Sequence, residues 1–259
     1  MRELRREMRT VGPLDVEVLR GGQGPATLVL HGFHNFAPDA PLLTALCART
    51  EVIAPSFPGF GQSARPDAFD SIYDLVRLSL ELIDELHVTN LVGLSFGGWV
   101  ALEVATIASS LSRLALIDSL GVKLSDRETP DIADIFNLHP DDVRERSWND
   151  PSLGVVDFDQ LSDDDIVVYA RNREALCLYG WEPYMRSPEL PRWLHRIRMP
   201  TLLLWGASDR IVTVDYGRAL ARQLPNARFE VIAGAGHHPE VEQFDRVAEH
   251  LLPFLDDGD

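Results

Sequence analysis

Short, almost wholly apolar runs recur along the chain, and polar segments rich in glycine and proline separate them. Six of these runs have the length of strands: "ATLVLHG", "EVIAPSF", "TNLVGLS", "LSRLALID", "TLLLWGA" and "ARFEVIAG". Strands that lack an alternating polar face are typical of a parallel sheet covered by helices on both sides. Upstream of them, the segments Leu4 to Val11 and Leu14 to Arg20 flank a "GP" turn signal and predict a hairpin.

Helical periodicity fills the segments between the apolar runs. Apolar residues recur at helical spacing in "APLLTALCAR", "SIYDLVRLSLELIDEL", "GGWVALEVATIAS", "VDYGRALARQL" and "VEQFDRVAEHLLPFL". Such alternation predicts an α/β fold with a mostly parallel, twisted sheet flanked by helices.

One region, from about Gly121 to Arg198, breaks this alternation. It contains six prolines, many acidic residues and no convincing strand, and it lies between two predicted core strands. An all-coil connection of that length is unusual in a compact domain, so we expect an inserted helical cap. The predicted organisation is a core of residues 1-120 and 199-259 with a cap of residues 121-198.

Charge and composition narrow the function classes. The net charge of -16 argues against nucleic acid or an anionic membrane as a partner. No apolar run is long enough to span a bilayer, and the start of the chain lacks the apolar segment of a secretory signal. The two cysteines, Cys47 and Cys177, lie far apart and fit a reducing compartment. We therefore expect a cytoplasmic monomer or homodimer that acts on a small molecule.

The stretch "LVGLSFGGWVALEVA" places Ser95 between Gly93 and Gly97, after a predicted strand and before a predicted helix. Glycines without Cβ atoms let the strand end and the helix start pass close together. The sharp turn then presents the hydroxyl at the carboxyl edge of the sheet, above a helix N-terminus. We interpret Ser95 as a nucleophile; the alternative is a capping serine in a tight turn.

A serine nucleophile needs a base, and the base needs an acid that orients it. His237 lies in "GAGHHPEVEQ", a loop between the last predicted strand and helix, with His238 as the alternative base. Asp209 in "LLLWGASDRIV" follows a strand between nucleophile and base in chain order, and Asp118 in "LALIDSLG" is the alternative acid. The order Ser95, Asp209, His237 predicts a catalytic triad.

Backbone N-H groups of Phe33 and Phe96 are the predicted oxyanion hole, and His31 is expected to be structural. The sequence has no H-E-x-x-H motif, no paired cysteines and no dense histidine cluster, so we expect neither a metal nor a cofactor.

The cap region supplies apolar and aromatic side chains for a pocket above Ser95: Trp148, Phe158, Tyr179, Trp181, Tyr184 and Met185. The alternative is that these side chains only pack the interior of the cap. Between Asp126 and Asp165, thirteen acidic residues against three arginines leave a net charge of -10, which is typical of a solvated face. The negative electrostatic potential of this acidic run extends about 8 Å at physiological salt. We therefore predict a preference for small, neutral apolar or aromatic esters over dianionic ones.

The motifs "HGF", "PGFGQS", "GLSFGG", "WGASDRIV" and "GAGHHPEVE" occur in an order and spacing that resemble the α/β-hydrolase-fold serine hydrolases. The resemblance implies that fold with an inserted cap, and ester hydrolysis through an acyl-enzyme. Haloalkane dehalogenases and epoxide hydrolases of this fold have an aspartate at the position of Ser95, so this chain departs from both. Many relatives also have an aspartate where Ser56 stands, which puts a loop-anchoring contact in doubt.

The cap and the stretch "LPRWLHRIRMPTLLLWG" also resemble hydrolases that cleave carbon-carbon bonds in aromatic ring-fission products. Those enzymes usually have a tryptophan after the catalytic histidine, where this chain has His238 and Pro239. An arginine usually meets the carboxylate of their substrate, a role open to Arg171 or Arg173 unless these form surface salt bridges. Carbon-carbon cleavage and non-catalytic binding of a small molecule are the alternative functions.

Overall fold

The structure, a computed structural model, describes residues 3–126 and 128–256 and contains one eight-stranded sheet. Outside the described residues lie Met1, Arg2, Arg127 and Asp257 to Asp259. Two sequence predictions therefore fall partly outside them: the one on the start of the chain and the one on the acidic run between Asp126 and Asp165. The strands are β1 (Arg5–Val11), β2 (Leu14–Gly22), β3 (Ala26–Leu30), β4 (Glu51–Pro55), β5 (Asn90–Leu94), β6 (Arg113–Ile117), β7 (Thr201–Gly206) and β8 (Ala227–Ile232).

The strands lie side by side in the order β1-β2-β4-β3-β5-β6-β7-β8. The β1-β2 hairpin and the β2-β4 pair are antiparallel, and all other neighbours are parallel. The carboxyl ends of the parallel strands therefore meet at one edge of the sheet, where ligands bind in open α/β folds.

Helices cover both faces of this sheet. The helices that alternate with the strands are α1 (Pro41–Leu46), α2 (Ile72–Leu86), α3 (Ser95–Ile107), α6 (Val214–Gln223), α7 (Pro239–Glu242) and α8 (Phe244–Leu255). Residues of α2, α3 and α6 share one buried cluster, and those of α1 and α8 share the other. Successive residues of a strand face opposite sides, so in β7 Leu203 joins the first cluster while Leu202 and Leu204 join the second. This explains why the central strands lack an alternating polar face.

The described residues between β6 and β7 form helices α4 (Pro140–Ser147) and α5 (Asp163–Gly180) and four short 3-10 turns. In the described part of this segment, extended pairing is limited to two isolated bridges, one of them between Ile132 and Val212. Helix α5 begins with a capping box in which Ser162 and Asp165 exchange hydrogen bonds with each other's backbone. The residue limits of the cap stay a prediction. Within the described ranges, none of the helices combines the length and the apolarity that crossing a bilayer needs.

The loop after β4 is anchored by a buried glutamate. Ser56 donates a hydrogen bond of 2.9 Å from Oγ to Glu17 Oε2, and Gln62 donates its backbone N-H to the same oxygen at 2.9 Å. Arg6 forms a 2.8 Å ion pair with the other carboxylate oxygen of Glu17. A carboxylate from β2 thus anchors the loop in which this chain has Ser56.

Candidate active site

Ser95 stands at the junction of β5 and α3 with a φ of 49°, a value that L residues rarely adopt. The turn is possible because Gly93 has no side chain: a Cβ there would lie 2.6 Å from the carbonyl oxygen of Gly97. Strained backbone of this kind persists only where surrounding packing imposes it, and it clusters at functional sites.

The structure brings Ser95, His237 and Asp209 into one hydrogen-bonded chain. The Oγ of Ser95 lies 2.7 Å from Nε2 of His237, and Nδ1 of His237 lies 2.7 Å from Oδ2 of Asp209. Because an ionised carboxylate only accepts hydrogen bonds, Nδ1 carries the proton and Nε2 accepts from the serine hydroxyl. This is the tautomer that a general base requires.

The other carboxylate oxygen of Asp209 is held by the backbone. Its Oδ1 accepts the N-H groups of Ile211 at 2.8 Å and Val212 at 3.0 Å. The Asp209 side chain is fully buried and that of His237 is 7% exposed, so water competes little for these bonds.

Burial alone would lower the pKa of His237, because it disfavours the charged imidazolium. The charge and hydrogen bond of Asp209, together with the charge of Glu240, outweigh burial and raise the pKa of His237 above its ordinary value of 6.5. His237 therefore binds a proton more readily than a free histidine.

The alternative acid and base have other partners. Asp118 follows β6, and its Oδ1 accepts the backbone N-H of Gly206 at 3.0 Å. The ring of His238 lies against that of Trp148, with 4.4 Å between centroids and a tilt of 32° between the rings, and Nδ1 of His238 lies 3.6 Å from Glu240.

The turn after β3 approaches Ser95 closely. A Cβ at Gly32 would make a tight contact of 3.1 Å with Cβ of Ser95, so glycine lets the backbone before Phe33 come this near without displacing Ser95. The fully buried His31 fixes the turn: Nε2 accepts the N-H of Phe57 at 3.0 Å, and Nδ1 lies 3.0 Å from the Gly32 carbonyl oxygen. Burial lowers the pKa of His31 to about 3, so this side chain stays neutral.

Phe96 lies in the first turn of α3, where backbone N-H groups lack partners within the helix. Phe33 and Phe96 both line the cavity above Ser95. Both residues thus lie beside Ser95, and the assignment of their N-H groups to an oxyanion hole stays a prediction.

A cavity of about 550 Å³ opens above Ser95, between the sheet edge and the segment from α4 to α5. Four of the predicted pocket residues line it: Trp148, Phe158, Tyr184 and Met185. Trp181 does not, because it lies beyond the end of α5, is 61% exposed and contacts the ring of Phe136. Tyr179 does not either, because its hydroxyl donates to the carbonyl oxygen of Pro58 in the core.

Comparison with known proteins agrees with this geometry. A model described as the alpha/beta hydrolase family matches residues 27–250. The chain belongs to the alpha/beta hydrolase family. The predicted fold and the prediction of a hydrolase are thereby confirmed.

Three similar proteins illustrate the range of this family. An uncharacterized hydrolase YugF of Bacillus subtilis (strain 168) is 30% identical over 90% of this chain and 90% of its own length. A 2-hydroxymuconate semialdehyde hydrolase of Pseudomonas putida is 27% identical over 92% of this chain and 89% of its own. The structure of a meta-cleavage product hydrolase from Pseudomonas fluorescens IP01 is similar with a TM-score of 0.78, at 21% identity over 97% of each chain.

The two candidate arginines of this hydrolase lie in different surroundings. Arg173 lines the cavity, and its guanidinium carbon is 5.6 Å from the centre of the Phe33 ring and 5.9 Å from that of Tyr169. Arg171 instead donates to the carbonyl oxygen of Ser63 at 2.8 Å. The cavity of this hydrolase thus contains a cation beside the turn that carries Phe33.

Several contacts that hold the loop of His237 were not predicted. The backbone N-H of His237 donates to the carbonyl oxygen of Ser147, at the end of α4, over 2.5 Å. Glu242 accepts the N-H of Gly236 at 2.6 Å and that of Asp150 at 2.9 Å. A carbonyl oxygen has no sequence signature, whereas Glu242 in "HHPEVE" could have been singled out as an acid next to the catalytic loop.

In the described parts of the chain, the group of side chains close enough together to bind a metal ion is Asp118, Asp209 and His237. Two of the three already share the Nδ1–Oδ2 hydrogen bond. The donor set therefore fits a hydrogen-bonded chain, because an ion would have to displace that hydrogen bond.

Proposed function

We propose that this hydrolase cleaves small carboxylic esters with apolar or aromatic groups through an acyl-enzyme on Ser95. The observation that carries the proposal is the hydrogen-bonded chain from Ser95 through His237 to Asp209, on the floor of a mostly apolar cavity. A serine hydroxyl that donates to a buried, correctly oriented imidazole is the arrangement that acyl transfer needs.

In the first half of the reaction, Oγ of Ser95 bonds to the ester carbonyl carbon while Nε2 of His237 takes the hydroxyl proton. The negative charge moves to the carbonyl oxygen, where the N-H groups of Phe33 and Phe96 would donate to it. The tetrahedral intermediate then expels the alcohol, which leaves with the proton from His237. Asp209 keeps Nδ1 protonated and stabilises the imidazolium between these steps.

In the second half, water attacks the acyl carbon and His237 takes its proton. Collapse of the second intermediate releases the carboxylic acid and returns the proton to Ser95. Free enzyme is regenerated, so one ester and one water give one acid and one alcohol.

The cavity supports substrates with an apolar or aromatic part. Its wall includes Trp148, Tyr184 and Met185, and exposed apolar side chains at its mouth continue that wall: Leu153, Val155, Val156 and Phe158. Burying apolar surface contributes roughly 25 cal/mol for each Å² removed from water, so this wall favours apolar substrate groups.

A second candidate function is hydrolysis of carbon-carbon bonds in vinylogous diketones. One observation favours it specifically: the guanidinium of Arg173 lines the cavity and can bind a substrate carboxylate. The relative named 2-hydroxymuconate semialdehyde hydrolase makes this candidate concrete. His238 stands where a tryptophan follows the catalytic histidine in such enzymes, which weighs against it.

A fluorophosphonate probe followed by a substrate panel tests both candidates. We expect the probe to label Ser95, as mass spectrometry of the labelled peptide would show, and we expect turnover of neutral aromatic and alkyl esters. The panel pairs each neutral ester with a carboxylate-bearing analogue and adds a vinylogous diketone. Faster turnover of the diketone than of every ester would make the second candidate the function. Failure of Ser95 to react would instead favour a non-catalytic binding protein.

A further inference from the structure

Asp118 is a second buried carboxyl group at the same edge of the sheet, and the proposed mechanism does not use it. It follows β6, the neighbour of the strand that carries Asp209, and it is completely buried. One of its carboxyl oxygens lies within 4.8 Å of a carboxyl oxygen of Asp209 and of a ring nitrogen of His237. Its backbone φ of 44° is another value that an L residue adopts only when packing imposes it.

The hydrogen bonds of the two carboxyl groups are complementary. A carboxylate has about four acceptor positions. Asp209 fills three of them, with two backbone N-H groups on Oδ1 and His237 on Oδ2. Asp118 receives one N-H, from Gly206 on Oδ1, while its buried Oδ2 has no hydrogen-bond partner among the described residues.

Two ionised carboxylates this close, without a cation between them, would repel each other strongly in a buried site. The charged or titratable groups facing Asp118 are Asp209, His237 and Glu240, and Glu240 adds a further negative charge. Burial and the charge of Asp209 raise the pKa of Asp118 well above its ordinary value, and the hydrogen bond from Gly206 opposes this only in part.

We propose that Asp118 is a positioning residue: it stays in the neutral acid form and donates its Oδ2 hydrogen to the remaining acceptor position of the Asp209 carboxylate. The proton stays on Asp118 throughout turnover, so no bond to substrate forms or breaks there. This hydrogen bond holds Asp209 in the orientation that receives His237, and it limits how strongly Asp209 attracts the imidazolium proton. The inference rests on the proposed function only through the role given to His237 and Asp209.

The protonation state can be measured without any substrate. At neutral pH, where ordinary carboxyl groups are ionised, the infrared difference spectrum of wild type minus Asp118→Asn should contain the carbonyl stretch of a protonated carboxyl group. The matched control is Asp215→Asn, because the Asp215 side chain is 92% exposed. This variant should keep the band, so the difference spectrum of wild type minus Asp215→Asn should lack it. A difference spectrum with only carboxylate bands for Asp118→Asn would overturn the proposal.

The positioning role is measured by the pH dependence of the rate at which the fluorophosphonate labels Ser95. Asp118→Asn keeps an acceptor for Gly206 and a donor for Asp209, so its rate should stay within about threefold of wild type, with the same midpoint. Asp118→Leu lacks the donor, so the Asp209 carboxylate attracts the imidazolium of His237 more strongly. The midpoint of Asp118→Leu should rise by about one pH unit, so its rate should fall by up to about tenfold at pH values below the wild-type midpoint.

If Asp118 were ionised, Asp118→Asn would remove a negative charge beside His237. The midpoint of labelling would then fall instead of staying the same. That outcome, or an unchanged midpoint in folded Asp118→Leu, would refute the inference. If Asp118→Leu does not fold, the infrared spectrum and the midpoint of Asp118→Asn still decide. A wild type that is never labelled contradicts the proposed function instead, while leaving the infrared result valid.

Discussion

The floor of the cavity and the cap segment above it are built in different ways. On the floor, Ser95, Asp209 and His237 follow three parallel strands, and backbone N-H groups or buried side chains hold each of them. Above, α4, α5 and the short turns between them leave Val155 59% exposed and Phe158 48% exposed, although both line the cavity.

We expect this difference to separate chemistry, on the floor, from selectivity, in the cap segment. Positions on the floor are imposed by strand ends, so a small displacement there breaks a hydrogen bond of 2.7 Å. The cap segment presents apolar area whose exact arrangement changes substrate fit more than reactivity. The regions meet where the carbonyl oxygen of Ser147 accepts the N-H of His237, so the cap segment also holds the loop that carries His237.

The largest expected effect is on the floor itself. Ser95→Ala should lower kcat for esters by about 10⁶, because the nucleophile and base act as one unit. The matched control is Ser147→Ala, since Ser147 meets His237 through its carbonyl oxygen rather than its hydroxyl. Steady-state kinetics on purified, folded variants would measure both, and near wild-type activity of Ser95→Ala would exclude Ser95 as the nucleophile.

Asp209→Asn should lower kcat by about 10⁴, because an amide that donates to His237 selects the wrong tautomer. The fold should persist, and circular dichroism checks this. A greater loss in folded Asp118→Asn than in Asp209→Asn would make Asp118 the orienting acid.

We expect a substitution at a buried floor position to lower the free energy of unfolding more than a substitution at an exposed position of the cap segment. Leu203→Ala in β7 removes a fully buried side chain and should cost about 2 to 5 kcal/mol of the free energy of unfolding. Val155→Ala at the cavity mouth should change it by less than about 0.5 kcal/mol. Urea unfolding followed by fluorescence measures both, and equal losses would contradict the distinction between floor and cap.

Arg173→Gln tests selectivity in the cap segment. For a carboxylate-bearing ester, kcat/KM should fall by about 10- to 100-fold, the value of a hydrogen bond between charged groups. For the matched neutral ester it should change by less than about threefold. Arg171→Gln is the control, because Arg171 bonds to the backbone of Ser63 and should not alter the ratio between the two esters. Equal losses on both esters would exclude a carboxylate-binding role for Arg173.

The smallest expected effect is on pH dependence. The rate should rise with pH as His237 loses its proton, with a midpoint above 6.5 because the pKa of His237 is raised. Glu240→Gln removes a negative charge that favours the imidazolium, so the midpoint should fall by less than about one pH unit. Asp163→Asn, on the exposed start of α5, should leave it unchanged because solvent and salt screen that charge. A larger shift of the midpoint from Asp163→Asn than from Glu240→Gln would show that charges on the cap segment set the pKa of His237.

The sequence alone determined the strand and helix order and the candidates at the carboxyl edge, because periodicity and glycine turns are local properties. It predicted Ser95 and His237 from loops that directly follow strands, and the glycines around Ser95 from the space that a sharp turn needs. One predicted helix, from Val241, is in the structure divided into α7 and α8, because Gln243 leaves helical geometry between them.

Only the tertiary structure separated residues that look alike in sequence. Asp118 and Asp209 both end apolar strands, but His237 comes from a third strand end, and its hydrogen bond to Asp209 depends on how the loops pack. Arg171 and Arg173 lie two residues apart on α5, and the rotation of that helix against the core decides that Arg173 lines the cavity. Such choices depend on contacts between residues far apart in the chain, which local periodicity does not encode.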